Sequence, residues 1–317
     1  MGSTRAPSVT AGWVALLRER LKGAVLVDEP MSAHTAFRVG GPADVLVIPE
    51  GRDDLRWALE VCATHEIPFT VIGRGSNLLV SDDGIEGVVI KISRGLSRVR
   101  WEGTSLEAEA GAPLPAVAWQ AASRGLSGLE FGVMIPGSVG GAVVMNAGAH
   151  HHAISAVVRQ VECLAATGEM TTLDREALGF DYRTSVLQAR PELVVVSARL
   201  ELAPRPPEAI MVQMQAYLEA RRRTQPLGEP GAGSIFRNPP GDYAGRLIEQ
   251  AGLKGWRRGD VEISPVHANF IVNKGHARCR EVLEAIRMVR QAVQARFGVL
   301  LQLEVKVIGR FASDPLA

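Results

Sequence analysis

The spacing of apolar residues predicts an N-terminal region in which helices and strands alternate. Between residues 13 and 22, the apolar side chains of Val14, Leu17 and Leu21 recur at helical spacing and form one stripe. The run RDDLRWALEVCATHEIPF predicts a second helix that ends at Pro68, whereas ADVLVIPE, TVIG and EGVVIKIS predict short strands. The N-terminal third of the chain is therefore expected to form a compact α/β unit.

The remaining pattern predicts further strands and helices on either side of a proline-rich break. The runs LEAEA, VVRQVECLAATGEMTTL and LVVVSARLEL predict strands, and PLPAVAWQAASRG predicts a helix among them. APRPPEAI predicts a domain boundary, followed by a helix, a Gly/Pro-rich loop that contains Ser234, and the helix AGRLIEQAGL. The strand NFIVNKG precedes a long helix that ends at Phe297, and LLQLEVKVIGRF predicts a strictly alternating final strand.

Composition excludes several classes of function. The chain has 317 residues, 46% hydrophobic and 22% charged, with a formal net charge of +1, so no basic excess indicates nucleic acid or an anionic membrane as a partner. The start shows no secretory signal, and no run approaches about 20 apolar residues. Cys62, Cys163 and Cys279 are odd in number and show no metal or redox spacing. These features predict a cytoplasmic protein with reduced thiols and no membrane span.

Two glycine-rich stretches are candidates for holding a phosphate group. The first, VIGRGSNLLVSDDG, follows a predicted strand, and its glycines would let backbone N–H groups approach a pyrophosphate. A dinucleotide fingerprint of the Rossmann type would need a third glycine where Leu78 stands, and a helix after it, so that interpretation fails. A tight connection between strands remains the alternative.

The second stretch, FGVMIPGSVGGAVVMNAGAH, concentrates glycine and proline within a few positions. Close approach by a large flat ligand would explain this, and tight packing of a short helix on a sheet is the alternative. The two stretches are predicted to lie in separate folded units, so a shared ligand would bridge two lobes. His150, His151 and His152 point in different directions without a further ligand nearby, which predicts an exposed turn and no metal.

Three polar residues are candidates for chemistry, each with a simpler alternative. Ser234 lies in GAGSIFRNP, where Phe236 replaces the glycine of a hydrolase nucleophile elbow, so it is a proton donor, a phosphate ligand or only a loop serine. Arg183 could bind a carboxylate with two parallel donors or could be a surface turn residue. Glu304 shares a face with polar neighbours, which is also typical of a solvated strand.

Six motifs occur in the order GRGSNLL, IPGSVGGAVVMNAGA, DYRTSVL, GAGSIFRNP, AGLKGWRRGDVEISPVHANFIVN and LEVKVIG. Over Thr35 to Gly309 the chain thereby resembles the UDP-N-acetylenolpyruvoylglucosamine reductase (UDP-N-acetylmuramate dehydrogenase) family, in its short-loop type II form. The resemblance implies an α+β protein with an FAD-binding fold of the vanillyl-alcohol-oxidase (PCMH) type in two lobes. The implied domains are lobe 1 (1–93), lobe 2 (94–207), a third α+β substrate-binding domain (208–304) and a C-terminal segment that returns to lobe 1 (305–317).

The resemblance also implies the ligands. FAD is expected to be bound non-covalently and NADPH to be the co-substrate, sharing one cleft in turn with a UDP-sugar substrate. The residues implied to hold FAD are Gly73, Arg74, Gly75, Ser76, Asn77, Leu78, Pro136, Gly137, Ser138, Gly140, Gly141, Asn146 and Ala147. The residues implied to bind substrate are Arg222, Asn238, Lys254, His267 and Asn269. A monomer without metal is expected.

The implied reaction reduces the enolpyruvyl ether of UDP-N-acetylglucosamine enolpyruvate to UDP-N-acetylmuramate in peptidoglycan precursor synthesis. Arg183 would stabilise the enolate, Ser234 would protonate its carbon, and Glu304 would be the third catalytic residue. A carboxylate beside an enolate is repelled unless it carries a proton, so Glu304 is expected to hold its proton tightly. The alternatives are another FAD oxidoreductase of the same fold acting on a different alcohol or enol ether, and a flavin- or sugar-nucleotide-binding protein without catalysis.

Overall fold

The computed structural model describes residues 7–316, and these form two compact units. The first unit comprises the chain up to residue 27, residues 44–74 and residues 87–220, and the second comprises residues 28–43, 75–86 and 221 onward. The boundary between Ala220 and Arg221 lies inside a helix, beyond the proline-rich break. The division into two lobes, a third domain and a returning C-terminal segment remains a prediction, and its residues 1–6 and 317 lie outside the described range.

The described residues contain both helices and strands throughout, as an α+β fold requires. The α-helices are α1 (Pro7–Arg18), α2 (Arg52–Thr64), α3 (Leu114–Ser123), α4 (Val139–Val144), α5 (Pro207–Thr224), α6 (Ala244–Gln250) and α7 (Cys279–Phe297). The first ten strands are β1 (Ala24–Pro30), β2 (Pro42–Ile48), β3 (Phe69–Ile72), β4 (Leu78–Val80), β5 (Ile85–Lys91), β6 (Val99–Glu102), β7 (Ser105–Glu109), β8 (Leu126–Ser127), β9 (Gly148–Ala149) and β10 (His152–Ala153). The others are β11 (Val158–Ala165), β12 (Met170–Asp174), β13 (Leu193–Glu201), β14 (Ala203–Pro204), β15 (Gly231–Ser234), β16 (Arg257–Arg258), β17 (Val261–Ile263), β18 (Phe270–Asn273) and β19 (Lys306–Ile308).

The first unit is built on two sheets that share one hydrophobic core. Four strands pair in the order β1-β2-β5-β3, with β3 and β5 parallel, and most of their residues belong to this unit. Five antiparallel strands pair in the order β12-β11-β13-β7-β6. Helix α2 contributes Leu55, Leu59 and Cys62 to the core, because these residues share one helical face. Asp53 and Asp54 lie in its first turn, where negative charge complements the helix dipole.

The second unit has its own core between an antiparallel sheet and helices α6 and α7. The sheet order is β15-β18-β17-β16, and β4 and β19 form a separate parallel pair. Along α7, the buried residues Val282, Ile286, Val289 and Val293 recur every three or four positions and face that core. The helix ends at Gly298, a common residue at a helix C-terminus.

Three predictions of local structure need correction. The stretch GAGS, expected to be a loop, is strand β15, because its backbone pairs with β18. The expected long final strand is reduced to Lys306–Ile308, the three residues that pair with β4, so Glu304 precedes the strand instead of lying on it. Helix α1 ends at Arg18, which leaves Leu21 outside the helix.

The three cysteines are free and buried. Burial raises the pKa of the Cys62 and Cys279 thiols to about 12 and that of Cys163 to about 11. They therefore stay protonated, and inert as nucleophiles, at neutral pH. Among the helices of residues 7–316, none is long and apolar enough to cross a membrane.

Candidate active site

The two glycine-rich stretches touch each other inside the first unit. Arg74 Nε donates to the carbonyl oxygen of Pro136 at 3.3 Å. A Cβ atom on Gly73 would lie 2.8 Å from Ser138 Oγ, so only glycine fits there without a shift. Gly73 and Arg74 belong to the same compact unit as residues 136–147, and the placement of the two stretches in separate lobes stays a prediction. The rest of the first stretch, residues 75–78, belongs to the second unit.

Two adjacent glycines of helix α4 have different surroundings. Ser138 caps this helix, and its Oγ accepts from Gly141 N–H at 3.4 Å. Gly140 N–H donates to Ala110 O at 2.8 Å, and a Cβ at position 140 would lie 2.7 Å from the Ala110 Cβ. Tight packing explains Gly140. Gly141 is exposed, and Ser138 Oγ at 3.6 Å would be the nearest atom to its Cβ, so the space at its Cα is open to close approach by a ligand.

Asn146 and Ala147, also predicted to contact FAD, are held by protein groups. Asn146 Nδ2 donates to Asp181 O at 2.8 Å, and its Oδ1 accepts from Ser155 N–H at 3.2 Å. Ala147 N–H donates to Ala142 O at 2.8 Å. The amide of Asn146 thus fixes the turn that carries Arg183.

Arg183 occupies a strained backbone conformation, with φ of 55°. Its Nη2 donates to Gly148 O at 2.7 Å, and Gln188 Nε2 donates to the Arg183 carbonyl oxygen at 2.9 Å. A left-handed conformation at a residue other than glycine costs free energy and persists only where surrounding contacts impose it. The structure therefore fixes the guanidinium of Arg183, as a carboxylate-binding role requires.

In the second unit, Asn77 holds the backbone of Glu304. Asn77 Nδ2 donates to Glu304 O at 3.0 Å, and Lys306 N–H donates to Asn77 O at 3.0 Å. Leu78 pairs with Lys306 in the β4–β19 ladder. Gly75 packs so closely that a Cβ would lie 2.0 Å from His34 O, and Ser76 is half-buried.

Ser234 ends a strand that contains a bulge. Gly231 is paired with Val272 and Ser234 with Phe270, so two residues on β15 face one on β18. Gly233, within the bulge, has φ of 74°, a conformation that glycine adopts readily. A bulge changes the direction of the side chains that follow it, so this bulge determines the direction in which the Ser234 side chain projects from the sheet.

Glu304 lies beside the strand that carries Ser234. Glu304 N–H donates to Ile235 O at 2.8 Å, and Arg237 N–H donates to Gln302 O at 2.8 Å. Two residues beyond Glu304, burial and then the charge of Arg237 lower the pKa of Lys306. Two of the three predicted catalytic residues are thus brought together within one unit.

A cavity of about 370 Å³ opens next to Ser234. It is lined by Ser234, Asn238, Tyr243, Gly245, Arg246, Glu249, Val266, His267, Ala268 and Asn269. Three of the five predicted substrate residues are therefore in its wall. Lys254 lies close by and pairs with Glu249 at 2.9 Å, whereas Arg222 is an exposed residue of α5 outside the lining.

His267 presents a neutral ring to this cavity. Its Nδ1 accepts from Asn269 N–H at 3.1 Å, which places the ring proton on Nε2. Burial is the main cause that lowers the pKa of His267. A Cβ on Gly245 would lie 2.9 Å from His267 Cε1, so glycine at 245 makes room for the ring.

Sequence reasoning missed several contributors to this region. The cavity residues Tyr243, Gly245 and Arg246 form no recognisable motif, and the bulge at Gly233 falls in a stretch whose composition predicts a loop. Within residues 7–316, no cluster of three His, Cys, Asp or Glu side chains could hold a metal ion.

Comparison with known proteins identifies the family of this chain. Residues 43–174 match the FAD binding domain family, and residues 225–308 match the C-terminal domain of UDP-N-acetylenolpyruvoylglucosamine reductase. The enzyme of that name from Desulforamulus reducens is 47% identical over 92% of this chain and 96% of its own length. The chain belongs to the UDP-N-acetylenolpyruvoylglucosamine reductase family.

Other members of the UDP-N-acetylenolpyruvoylglucosamine reductase family support the assignment. The enzyme from Bacillus subtilis is 45% identical over 92% of this chain and 97% of its own length. The crystal structure of the Thermus caldophilus enzyme aligns with a TM-score of 0.77 at 39% identity, covering 90% of this chain and 99% of that one. The chain is an FAD-dependent oxidoreductase with an α+β fold, and the prediction of FAD as its cofactor is confirmed.

Proposed function

We propose that this protein reduces the enolpyruvyl ether of UDP-N-acetylglucosamine enolpyruvate to the lactyl ether of UDP-N-acetylmuramate, with NADPH as the reductant, in peptidoglycan precursor synthesis. The observation that carries the proposal is the hydrogen bond from Glu304 N–H to Ile235 O, beside Ser234 and a polar cavity. This bond holds the backbone of the carboxyl-bearing Glu304 against the residue that follows Ser234, and the hydroxyl-bearing Ser234 lines the cavity, an arrangement that suits protonation of an enolate.

Several residues would hold the cofactor. The open space at Gly141 and the contact between Arg74 and Pro136 fit a flat ligand that approaches the chain closely and is held non-covalently. The chemistry that bound FAD would supply is the transfer of a hydride from NADPH to the terminal vinyl carbon of the substrate. Asn77 and Leu78 position Glu304 through backbone contacts as well as belonging to the predicted FAD-binding set.

Residues of this chain would stabilise the negative charge of the intermediate and supply the proton. Hydride addition to the vinyl carbon leaves negative charge on the neighbouring carbon and its carboxylate. Arg183 would bind that carboxylate, because a guanidinium offers parallel donors and stays charged. Ser234 would deliver its hydroxyl proton to the carbon, and Glu304 would act as the third catalytic residue.

The cavity beside Ser234 would take part of the sugar nucleotide. Asn238, His267 and Lys254 are the predicted contacts that lie in it or next to it. The neutral His267 can donate its Nε2 proton to a substrate oxygen. NADPH would use the same cleft in turn, and we expect a monomer in solution, which sedimentation would test.

The test separates the two half-reactions in one anaerobic cuvette. NADPH should bleach the oxidised-flavin band, and UDP-N-acetylglucosamine enolpyruvate should restore it. In Ser234→Ala, bleaching should persist, whereas recovery should slow by roughly 10²–10⁴-fold because the general acid is lost. Ser123→Ala, which removes an exposed hydroxyl of α3, is the control and should behave as wild type.

Each contrary outcome has a distinct meaning. A wild-type flavin that bleaches without recovering would refute the proposed acceptor and point to another FAD oxidoreductase reaction. Normal recovery in Ser234→Ala would refute the role of Ser234 alone.

A further inference from the structure

Asn269 is a buried polar residue of the cavity wall whose side-chain amide is bonded to protein groups at both ends. It is 3% exposed. Its Oδ1 accepts from Phe236 N–H at 3.0 Å, and its Nδ2 donates to Phe236 O at 2.8 Å. Both polar ends of the amide are therefore bonded to the backbone of one residue, two positions after Ser234.

The backbone of Asn269 reinforces the same attachment. Its carbonyl oxygen accepts from Ile235 N–H at 2.9 Å, and its N–H donates to His267 Nδ1 at 3.1 Å. One residue thus bonds to both residues that follow Ser234 and also fixes the tautomer of the cavity histidine.

The attachment extends to Glu304. Ile235 O accepts from Glu304 N–H at 2.8 Å, and Phe236 forms a bridge with Leu303. Residues 235 and 236 therefore lie between Asn269 on one side and the segment bearing Glu304 on the other. A shift of this strand would move Ser234 relative to Glu304.

We infer that Asn269 is a positioning residue, which fixes Ser234 and Glu304 by clamping the backbone of Phe236, and not a residue that binds the sugar nucleotide. The inference rests on the proposed function and replaces our sequence-based role for Asn269. A buried amide with both ends bonded to one residue's backbone is a rigid link, because breaking either bond leaves a buried polar group unsatisfied.

The decisive variant is Asn269→Asp. An ionised carboxylate at this position would face the carbonyl oxygen of Phe236 and repel it, whereas a protonated carboxyl could donate to that oxygen and restore the clamp. Flavin reoxidation at saturating substrate should fall by about 10²-fold at high pH, the loss expected from a misplacement near 1 Å. The rate relative to wild type should recover as the pH is lowered.

Measuring the limiting rate and the half-saturating substrate concentration separately distinguishes a positioning role of Asn269 from a substrate-binding role. A positioning residue changes the limiting rate of reoxidation and leaves the half-saturating substrate concentration near the wild-type value. A substrate contact would instead raise that concentration and preserve the limiting rate. The second pattern would overturn the inference, as would a loss that does not recover at low pH.

The chain offers a matched control in Asn273, on strand β18 a few residues further along. Asn273 is also 3% exposed; its Nδ2 donates to Phe37 O at 3.1 Å, and its Oδ1 accepts from Gly275 and Ala277 N–H groups. Asn273→Asp introduces the same chemistry away from Ser234, so its reoxidation rate relative to wild type should be independent of pH. Titration of His267, the ionisable side chain bonded to the Asn269 backbone, is common to the wild type and Asn273→Asp and cancels in that ratio, and the pH profile of Asn269→Ala shows its contribution without a new carboxylate.

Two further measurements do not depend on Asn269→Asp, and the second of them does not depend on the reaction. In Asn269→Ala, the rate of flavin reoxidation should fall as far as it does in Asn269→Asp at high pH. It should not recover at low pH, because alanine has no group that can replace the donor. Amide hydrogen exchange of the wild type should show Phe236 N–H protected, and faster exchange over residues 231–238 in Asn269→Ala. Exchange of wild-type Phe236 at the rate of an exposed loop would overturn the clamp.

The experiment separates this inference from the proposed function. If wild-type flavin bleaches with NADPH and never recovers with the enolpyruvyl substrate, the proposed function fails. If the wild type recovers and Asn269→Asp recovers equally fast at every pH, only the clamp fails.

Discussion

The predicted flavin-binding stretch in the first unit and the Ser234 region in the second are held in place by different means. Around Gly73 and helix α4, small residues and backbone groups make the contacts, and Gly140 lies directly against Ala110. Around Ser234, asparagine side chains bond to the backbone: Asn269 to Phe236 and Asn77 to Glu304. The first arrangement leaves space at Gly141 for a ligand, whereas the second fixes the backbone beside two predicted catalytic residues, Ser234 and Glu304.

The two regions should therefore respond differently to substitution. Adding a side chain disrupts glycine-rich packing, and we expect this to lower the stability of the fold and the affinity for FAD. Removing a hydrogen bond disrupts an amide clamp, and we expect this to lower the rate of one half-reaction, the reoxidation of the flavin by substrate. Substitutions that leave the overall fold intact can thus break the two regions separately.

The largest effect is expected from the two adjacent glycines of α4. Gly140→Ala would place a Cβ 2.7 Å from that of Ala110 and 3.2 Å from its backbone, so overpacking should cost about 1–3 kcal/mol of the free energy of unfolding. Gly141→Ala should keep or raise stability by up to about 1 kcal/mol, since alanine favours helix, while weakening FAD binding. Urea unfolding of the apoprotein and titration with FAD measure the two quantities.

Each glycine serves as the control for the other. Equal losses of stability in the two variants would show that the distinction between a packing glycine and a ligand-facing glycine is wrong. Unchanged FAD affinity in Gly141→Ala would remove Gly141 from the predicted cofactor site.

The fold was largely predictable because most elements follow from local pattern. The helical spacing of apolar residues in α2 and α7 and the apolar run of β13 specify an element and its buried face without tertiary information. The motif order then led to the family, which comparison with known proteins confirms. The roles assigned to individual site residues stay predictions.

The errors share a physical cause, which is dependence on distant partners. The stretch GAGS has poor strand propensity and becomes β15 only because β18 pairs with it. The final run alternates as a strand should, yet only Lys306–Ile308 finds a partner in β4. Asn269 and Asn77 act through bonds to residues 33 and 227 positions away, a relation that sequence spacing cannot reveal.

A smaller effect is expected from the bulge that precedes Ser234. Gly233 has φ of 74°, and no atom lies within 4 Å of the place where a Cβ would be, so Gly233→Ala adds backbone strain without a clash. The strain should cost roughly 1–2 kcal/mol, and relaxation of the bulge should redirect Ser234 and slow flavin reoxidation. Flavin reduction by NADPH should keep its wild-type rate in stopped-flow measurements.

Gly259 provides the matched control, since it has φ of 58° and equally open surroundings in the turn between β16 and β17. Gly259→Ala should lower the free energy of unfolding by about as much as Gly233→Ala does, and it should leave the rates of both half-reactions unchanged. If the two variants slowed reoxidation alike, general destabilisation and not the direction of Ser234 would be responsible.

The smallest expected effect concerns the pH dependence of stability at His267. Burial lowers its pKa in the folded protein below the ordinary value of 6.5, so both states are neutral above that pH. Below it, the unfolded chain takes up a proton that the folded chain resists, and stability must therefore fall as the pH decreases. His267→Gln should lessen the difference between the free energies of unfolding at about pH 7.5 and about pH 5.5, measured with urea. His276→Gln changes a histidine at an exposed site and should retain the wild-type difference between the two free energies of unfolding. If His267→Gln also retained that difference, the prediction that His267 is kept neutral in the cavity wall would be wrong.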